Sequence, residues 1–136
     1  MADERALLFP HGQLPGSLEL AFVGDSVYDL YVRSALVKRG GRVNDLNRAA
    51  VARVNAHAQC ESLKRILPLL SPEESAIVRR AHNARQSPTK NADPAEYHYA
   101  TALEALVGYL YLTGQKQRLT ELLSLSTEME GSIDAL

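Results

Sequence analysis

Three carboxylates stand out in this sequence because each lies in a segment that is otherwise apolar and helix-periodic. Asp25 and Asp29 are spaced i and i+4 within residues 18–32, and Glu104 lies within residues 100–112. A carboxylate in apolar surroundings is costly to bury unless it is paired, protonated or bound to a cation. Two such segments in one small chain predict a metal site built from facing helices.

The three carboxylates differ in their local partners. Arg33 follows Asp29 by four residues and can pair with it on the helix surface, whereas Asp25 has no basic residue in reach along its own helix. Glu104 has none either. Hard cations such as Mg²⁺ take oxygen ligands and keep several waters, so Asp25 and Glu104 could hold one ion between them. The residues alone leave an alternative, in which Asp25 caps a distorted helix and Glu104 pairs with an arginine from a neighbouring helix.

Two glycines bear on how these carboxylates could meet. Gly24 precedes Asp25, and Gly108 lies one turn after Glu104. A glycine inside a helix costs about 1 kcal/mol relative to alanine, and close approach of a second helix is the usual reason for one. We therefore expect the two helices to cross at these glycines.

The elements that must position these side chains are helical throughout, with no period-two strand. Ser17 and Asn44 are predicted N-caps, Gly40 and Gly41 end the first helix, and residues 71–74 form a capping-box sequence. The predicted helices cover residues 17–38, 44–67, 72–85, 94–112 and 116–125. The chain is thus expected to be one all-α domain over residues 16–125, with an N-terminal arm (1–15) and a C-terminal tail (126–136).

Composition narrows the class of protein. The 136 residues are 46% hydrophobic and 23% charged, which is ordinary for a globular domain. Cys60 is the only cysteine, so no internal disulfide can form, as is typical of a reducing compartment. Residues 1–15 do not resemble a signal peptide, and no apolar run approaches the roughly 20 residues of a membrane span. We expect a cytoplasmic protein with no membrane partner.

The net charge of −1 hides an uneven distribution: −4 over residues 1–32, +8 over 33–90 and −5 over 91–136. A basic middle indicates a face that binds a polyanion, although the acidic segments could instead pair with it. No aromatic residue lies within this basic segment, which favours contact with a duplex backbone over base stacking. The candidate RNA-binding residues are Arg48, Arg53, Arg79, Arg80, Arg85 and Lys90.

Two motifs resemble those of a known family. Residues 20–28, LAFVGDSVY, resemble the signature of the ribonuclease III catalytic domain, in which a Phe-Leu-Gly-Asp-Ala-Val core presents a catalytic aspartate. Residues 103–108, LEALVG, resemble that domain's second motif, Phe-Glu-Ala-Leu-Ile-Gly, which contains a metal-binding glutamate. The resemblance covers roughly residues 16–125, and the chain as a whole is similar to the Mini-III ribonucleases, a small bacterial family that consists of the catalytic domain alone.

The resemblance implies a fold, a site and an activity. The fold would be the all-α ribonuclease III endonuclease domain, with about five to seven helices, and a two-fold homodimer would form a valley for duplex RNA. Asp25 and Glu104 would be the catalytic and metal-binding residues, with Mg²⁺ as cofactor and Mn²⁺ as a substitute. The activity would be cleavage of double-stranded RNA to leave 5′-phosphomonoesters, in maturation of precursor large-subunit (23S) rRNA. A large-subunit ribosomal protein is a candidate partner.

The sequence departs from the longer ribonuclease III enzymes at two positions. Ala21 stands where those enzymes place a glutamate, and Thr101 stands where they place an aspartate, although the Mini-III branch resembles this chain at both. These losses support an alternative, a catalytically weak or inactive dimeric RNA-binding module of the same fold. A helical metal-dependent nucleotide hydrolase is a third hypothesis, less favoured because no His-Asp pair or Glu-x-x-Glu ladder is present.

Overall fold

A computed structural model describes residue 9, residues 13–88 and residues 92–133 of the chain. Within these residues there are six α-helices, one short 3₁₀ helix (Leu67–Leu69) and no strand. The prediction of an all-α domain is therefore confirmed. In chain order the helices are α1 (Ser17–Arg39), α2 (Val43–Val54), α3 (Ala56–Ile66), α4 (Pro72–His82), α5 (Pro94–Leu112) and α6 (Lys116–Thr127).

Helix α5 forms the centre of the core, and α1, α3, α4 and α6 pack around it. Every residue of α5 from Ala100 to Leu110 is buried except Glu104, which is partly buried. A helix that is apolar on all sides belongs inside a domain, which is why the others enclose it. Glu104 is consequently the one acidic group in the most buried stretch of the fold.

Helices α1 and α5 cross with their backbones in direct contact. A Cβ on Gly24 would lie 1.6 Å from the carbonyl oxygen of Glu104, and a Cβ on Gly108 would lie 1.9 Å from that of Leu20. No side chain larger than hydrogen fits at either position. The expectation that the two helices cross at these glycines is confirmed.

Most helix boundaries follow from local capping chemistry. The Ser71 hydroxyl accepts from the Glu74 amide at 3.1 Å, and the Glu74 carboxylate accepts from the Ser71 amide at 2.9 Å, as the capping-box sequence predicts. The fourth predicted helix coincides with α5. Other boundaries differ from the prediction: Gly16, and not Ser17, is the N-cap of α1, and α4 ends at His82, short of Arg85.

The prediction of one continuous second helix is wrong. The chain forms two helices, α2 and α3, separated at Asn55, whose backbone is extended. The Asn55 side chain accepts from the Ala58 amide at 2.8 Å and donates to the Val51 carbonyl at 3.1 Å, so it closes one helix and opens the next. Helix α2 itself begins at Val43 with Arg42 as N-cap, one residue before Asn44.

The chain continues into the core after its last helix. Helix α6 extends to Thr127, and both Met129 and Ile133 are buried. The Tyr31 hydroxyl donates to the Met129 carbonyl at 2.7 Å, which ties this segment to α1. None of the helices in the described ranges is long and apolar enough to cross a membrane.

Candidate active site

Asp25 and Glu104 meet in one cavity of about 340 Å³ between α1, α3 and α5. The glycine crossing brings them there, since Asp25 directly follows Gly24 and the Glu104 carbonyl is the atom that Gly24 touches. Asp25 is exposed at the surface of the cavity, and Glu104 is partly buried deeper in the fold. The cavity is lined by Leu18, Ala21, Phe22, Asp25, Ala56, Gln59, Gln86, Tyr97, Ala100, Thr101 and Glu104.

The Glu104 carboxyl is strongly perturbed. Burial, followed by hydrogen bonding and repulsion from the neighbouring Asp25 carboxylate, raises its pKa to about 8, and the nearby Gln59 amide opposes the shift. A like-charged pair in a partly buried site needs either a proton or a cation between its members. This pair therefore has the electrostatics of a cation site.

No basic residue of the described ranges lines this cavity: none of the lining side chains is a lysine or an arginine. The alternative in which an arginine from a neighbouring helix pairs with Glu104 is therefore not what the structure contains. Asp29 lies outside the cavity lining, and Arg33 Nε contacts its carboxylate at 2.9 Å, as the spacing predicts.

The donor set fits a hard divalent cation that keeps much of its water. Two facing carboxylates supply oxygen ligands, and the described residues contain no group of three or more histidine, cysteine or acidic side chains that could complete a cage. Ala21 and Thr101 line the same cavity, so the two positions that carry acids in the longer enzymes are neutral here. The Thr101 hydroxyl donates to the Tyr97 carbonyl at 3.1 Å and accepts from Gln86 at 2.7 Å.

The structure adds Gln59, which the sequence interpretation missed. Its side chain is only 3% exposed, it lines the cavity with both carboxylates, and its Nε2 has no well-formed hydrogen bond to any described residue. The sequence did carry a signal. Gln59, Leu63 and Ile66 are spaced i, i+4 and i+7 on α3, so a polar amide stands on a buried, otherwise apolar stripe.

Arg53 borders a second cavity, of about 250 Å³, between α2, α3 and the segment after α6. The Tyr28 and Ser62 hydroxyls, 3.1 Å apart, belong to its lining and are buried. Arg65, also in the lining, donates to the Ser126 carbonyl at 2.6 Å and pairs with Glu128 at 3.1 Å. No ion pair of Arg53 occurs within the described ranges, so its charge is available to an anion.

The other candidate RNA-binding residues do not line the cavity that Arg53 borders. Arg48 pairs with Asp45 on the exposed face of α2. Arg79 and Arg80 are exposed in the last turn of α4, and Arg80 borders a different cavity, beside the segment that precedes α1. Arg85 is exposed after α4, and Lys90 lies outside the described residues. The basic residues are thus spread over at least two surfaces.

An exposed apolar patch adjoins the carboxylate cavity. Phe22 is 83% exposed and Leu18 is 43% exposed, and both lie one or two turns before Asp25 on α1. A phenylalanine this exposed, beside a second exposed apolar side chain, is typical of an interface with another molecule.

Comparison with known proteins identifies relatives over most of the chain. Residues 18–115 match the model of the Ribonuclease III domain. The chain is 48% identical to Mini-ribonuclease 3 from Symbiobacterium thermophilum, over 82% of this chain and 87% of that protein. It is also 48% identical to Mini-ribonuclease 3 from a Thermoanaerobacter species, over 93% and 92%. A crystal structure of a Fusobacterium nucleatum protein superposes with a TM-score of 0.76 at 33% identity, over 83% of this chain and 92% of that one.

Proposed function

This chain belongs to the Mini-ribonuclease 3 family of ribonuclease III-type endoribonucleases, and we propose that it hydrolyses double-stranded RNA at a divalent-cation site formed by Asp25 and Glu104. The observation that carries this proposal is the convergence of two carboxylates, one from each motif, in a cavity without a basic residue. Ribonuclease III enzymes generally depend on a divalent metal and act on double-stranded RNA. Mg²⁺ is the ion we propose, with Mn²⁺ as a substitute.

The reaction is attack of water on a backbone phosphorus. When bound, the divalent cation supplies the positive charge that polarises the phosphodiester and favours ionisation of the attacking water. Water oxygen bonds to phosphorus, the bond to the 3′ oxygen breaks, and that oxygen takes up a proton. The products are a 5′-phosphomonoester and a 3′-hydroxyl.

The protein's contribution is to hold the cation and the reacting phosphate at fixed positions relative to each other. Glu104 is anchored by the most buried helix of the fold, and Asp25 by the backbone contact at Gly24. Rigid placement of reacting groups accounts for a large share of enzymatic rate enhancement.

Duplex RNA would be held through its phosphates. The basic segment provides Arg53 beside the carboxylate-bearing helix α1, and Arg48, Arg79, Arg80, Arg85 and Lys90 elsewhere. Arginine suits bidentate phosphate contacts, and a site of this kind loses affinity steeply as salt concentration rises. This supports recognition of duplex backbone and shape over base sequence.

We further propose that the enzyme is a two-fold homodimer in which the patch of Leu18 and Phe22 is covered by the partner. The support is the exposure of Phe22 beside the cavity, because an isolated phenylalanine side chain in water forgoes the roughly 1.5–3 kcal/mol that its burial would contribute. Two active sites related by this axis could cut both strands of one duplex.

The biological substrate we propose is precursor 23S rRNA, whose ends the enzyme would trim, with a large-subunit ribosomal protein as a candidate partner. The support is the resemblance to the Mini-III family. The identity of the natural substrate can be tested independently of the cleavage reaction, because cleavage of a generic duplex would establish the nuclease without identifying its natural target.

Cleavage of a duplex RNA with and without Mg²⁺ tests the proposed chemistry. Asp25→Asn and Glu104→Gln should each lower the rate by more than the roughly 10–100-fold that follows loss of a residue supporting a metal ligand. Asp29→Asn is the matched control, because Asp29 lies one turn away and is paired with Arg33. Full activity in either site variant would overturn the assignment. Intact RNA that still binds wild-type protein would favour the inactive RNA-binding module.

The substrate is tested separately. A fragment of precursor 23S rRNA containing the paired ends should be cut at one defined position on each strand, and faster than an unrelated duplex of equal length. Equal cleavage of both RNAs, with or without added ribosomal protein, would support the nuclease activity but reject the proposed specificity.

A further inference from the structure

We propose that Gln59 is a positioning residue whose side-chain amide holds the Glu104 carboxylate in the orientation that binds a divalent cation. The inference rests on the proposed function, since it concerns the same site. It extends that function by assigning a role to a residue outside both sequence motifs, on a third helix.

The first support is the state of the amide itself. Gln59 is 3% exposed, and its Nε2 forms no well-aligned hydrogen bond within the described part of the chain. A buried amide donor without a partner costs on the order of 1–3 kcal/mol. An apolar side chain of similar length would fill this position on α3 without that cost. Packing within the chain therefore does not explain why a residue with an amide donor occupies this position.

The second support is what the amide faces. Gln59 shares its cavity with Asp25 and Glu104, and its amide lies close enough to Glu104 to favour the ionised carboxylate. A carboxylate has two oxygens with about four lone-pair directions. A donor that engages one of these directions restricts rotation of the group and leaves the others for a cation. Donation to the Glu104 carboxylate would give the unpartnered Nε2 its hydrogen bond.

The third support is the chemistry of a neutral donor. A lysine or arginine at this position would also orient Glu104, but its positive charge would repel the cation. An amide orients the carboxylate without adding charge. This matters here because Ala21 and Thr101 leave the cavity with only two acids, so each ligand's geometry counts for more.

The helix that carries Gln59 is held in place for this role. Gln59 lies in the first turn of α3, its backbone amide donates to the Asn55 carbonyl at 2.9 Å, and the Asn55 side chain caps the same turn. Ala56, the first residue of α3, also lines the cavity. The first turn of α3 thus contributes Ala56 and Gln59 to the wall of the carboxylate cavity.

The test uses Gln59→Met, which keeps the length of the side chain and removes the amide. The affinity of the RNA-free protein for Mn²⁺ is measured by water-proton relaxation. In Gln59→Met this affinity should fall about 10–100-fold, the range seen when a residue that supports a metal ligand is lost. Binding of duplex RNA in the absence of divalent ions should be unchanged. The melting temperature of the metal-free protein should stay the same or rise, because the variant removes an unpartnered buried donor.

Ser62→Ala is the matched control. Ser62 lies on the same helix and is as deeply buried, but its hydroxyl faces the Tyr28 hydroxyl and not the carboxylates. We expect this control to bind Mn²⁺ as tightly as the wild type. Equal weakening in both variants, or a fall in melting temperature of Gln59→Met that parallels its loss of Mn²⁺, would overturn the positioning role.

A measurement on the wild-type protein covers the case in which Gln59→Met does not fold. The side-chain amide proton signals of Gln59 should shift on addition of Mg²⁺, with the same midpoint as Mn²⁺ displacement; unshifted signals at saturation would overturn the inference. The two proposals fail differently. Wild-type protein that binds no divalent ion would reject both, whereas equal Mn²⁺ affinity in wild type and Gln59→Met would reject only the role of Gln59.

Discussion

Gly24 of α1 lies directly against the peptide carbonyl of Glu104 on α5, so that a Cβ at Gly24 would approach that oxygen to 1.6 Å. Since Asp25 is the next residue, the contact sets the separation of the two carboxylates through the backbone. Side-chain packing around the site adds to this placement but does not create it.

Replacing Gly24 by alanine should therefore be severe. The methyl group has no space, and the helices must separate, which we expect to cost about 3 kcal/mol or more and to abolish cleavage. Gly16→Ala is the control, because a Cβ at Gly16 meets nothing nearer than 3.4 Å, and it should cost less than about 1 kcal/mol. Urea unfolding followed by circular dichroism measures both. Wild-type stability in Gly24→Ala would contradict the helix crossing.

The metal-free protein should lose stability as pH rises. The pKa of Glu104 is raised from 4.5 to about 8 in the folded protein, so folding favours the protonated group. Its contribution is fully present below pH 4.5 and is lost as pH rises through about 8. We expect the melting temperature in EDTA to fall by roughly 5–10 °C between about pH 5 and about pH 8.

Glu104→Gln should flatten this pH dependence, and Mg²⁺ should raise the wild-type melting temperature more at about pH 8 than at about pH 5. The exposed Glu130, which does not line the cavity, provides the control variant Glu130→Gln. An unchanged slope in Glu104→Gln would show that another group is responsible.

The exposed phenylalanine gives a prediction about assembly. Phe22→Ser should shift the proposed homodimer towards monomer in sedimentation velocity, without lowering the stability of the single domain, because Phe22 is 83% exposed there. Leu125→Ser is the control, an exposed apolar residue on α6, and it should leave the dimer intact. If Phe22→Ser has the same mass as the wild type at low micromolar concentration, the proposed interface is wrong.

Arg53 should contribute one phosphate contact. Arg53→Ala should weaken duplex binding at low salt and reduce the slope of log affinity against log salt by about 1. Lys38→Ala removes the same charge near the end of α1, beside a different cavity, and should change neither quantity. Fluorescence anisotropy over a salt series distinguishes them. An unaltered slope in Arg53→Ala would place the RNA elsewhere.

Much of the fold follows from local rules that apply to short stretches of the sequence. The apolar run around Glu104, the capping box at Ser71 and the two in-helix glycines each have one strong physical interpretation, and the structure agrees with all three. The approach of Asp25 to Glu104 could be anticipated because a glycine is unfavourable inside a helix unless a second backbone needs the space.

Other features depend on the hydrogen bonds that one side chain makes or on contacts distant in sequence. Asn55 interrupts what otherwise has the pattern of one helix, since its side chain satisfies backbone groups on both sides and an extended backbone there costs little. Gln59 resembles an ordinary polar residue until α5 is placed against it. The burial of Met129 depends on a hydrogen bond from Tyr31, 98 residues earlier, which no local pattern encodes.

The glycine crossing also has a consequence for motion. The proposed active site lies at the contact that joins α1 to α5, so we expect that the two carboxylates cannot move apart unless this central pair of helices separates. In many enzymes a catalytic loop opens locally while the rest of the protein stays folded. We expect no such local opening at the contact between α1 and α5. The backbone amides near Glu104 and Gly108 should therefore exchange with solvent only through global unfolding. The helix contact that places the two carboxylates would then belong to the cooperative unit of folding.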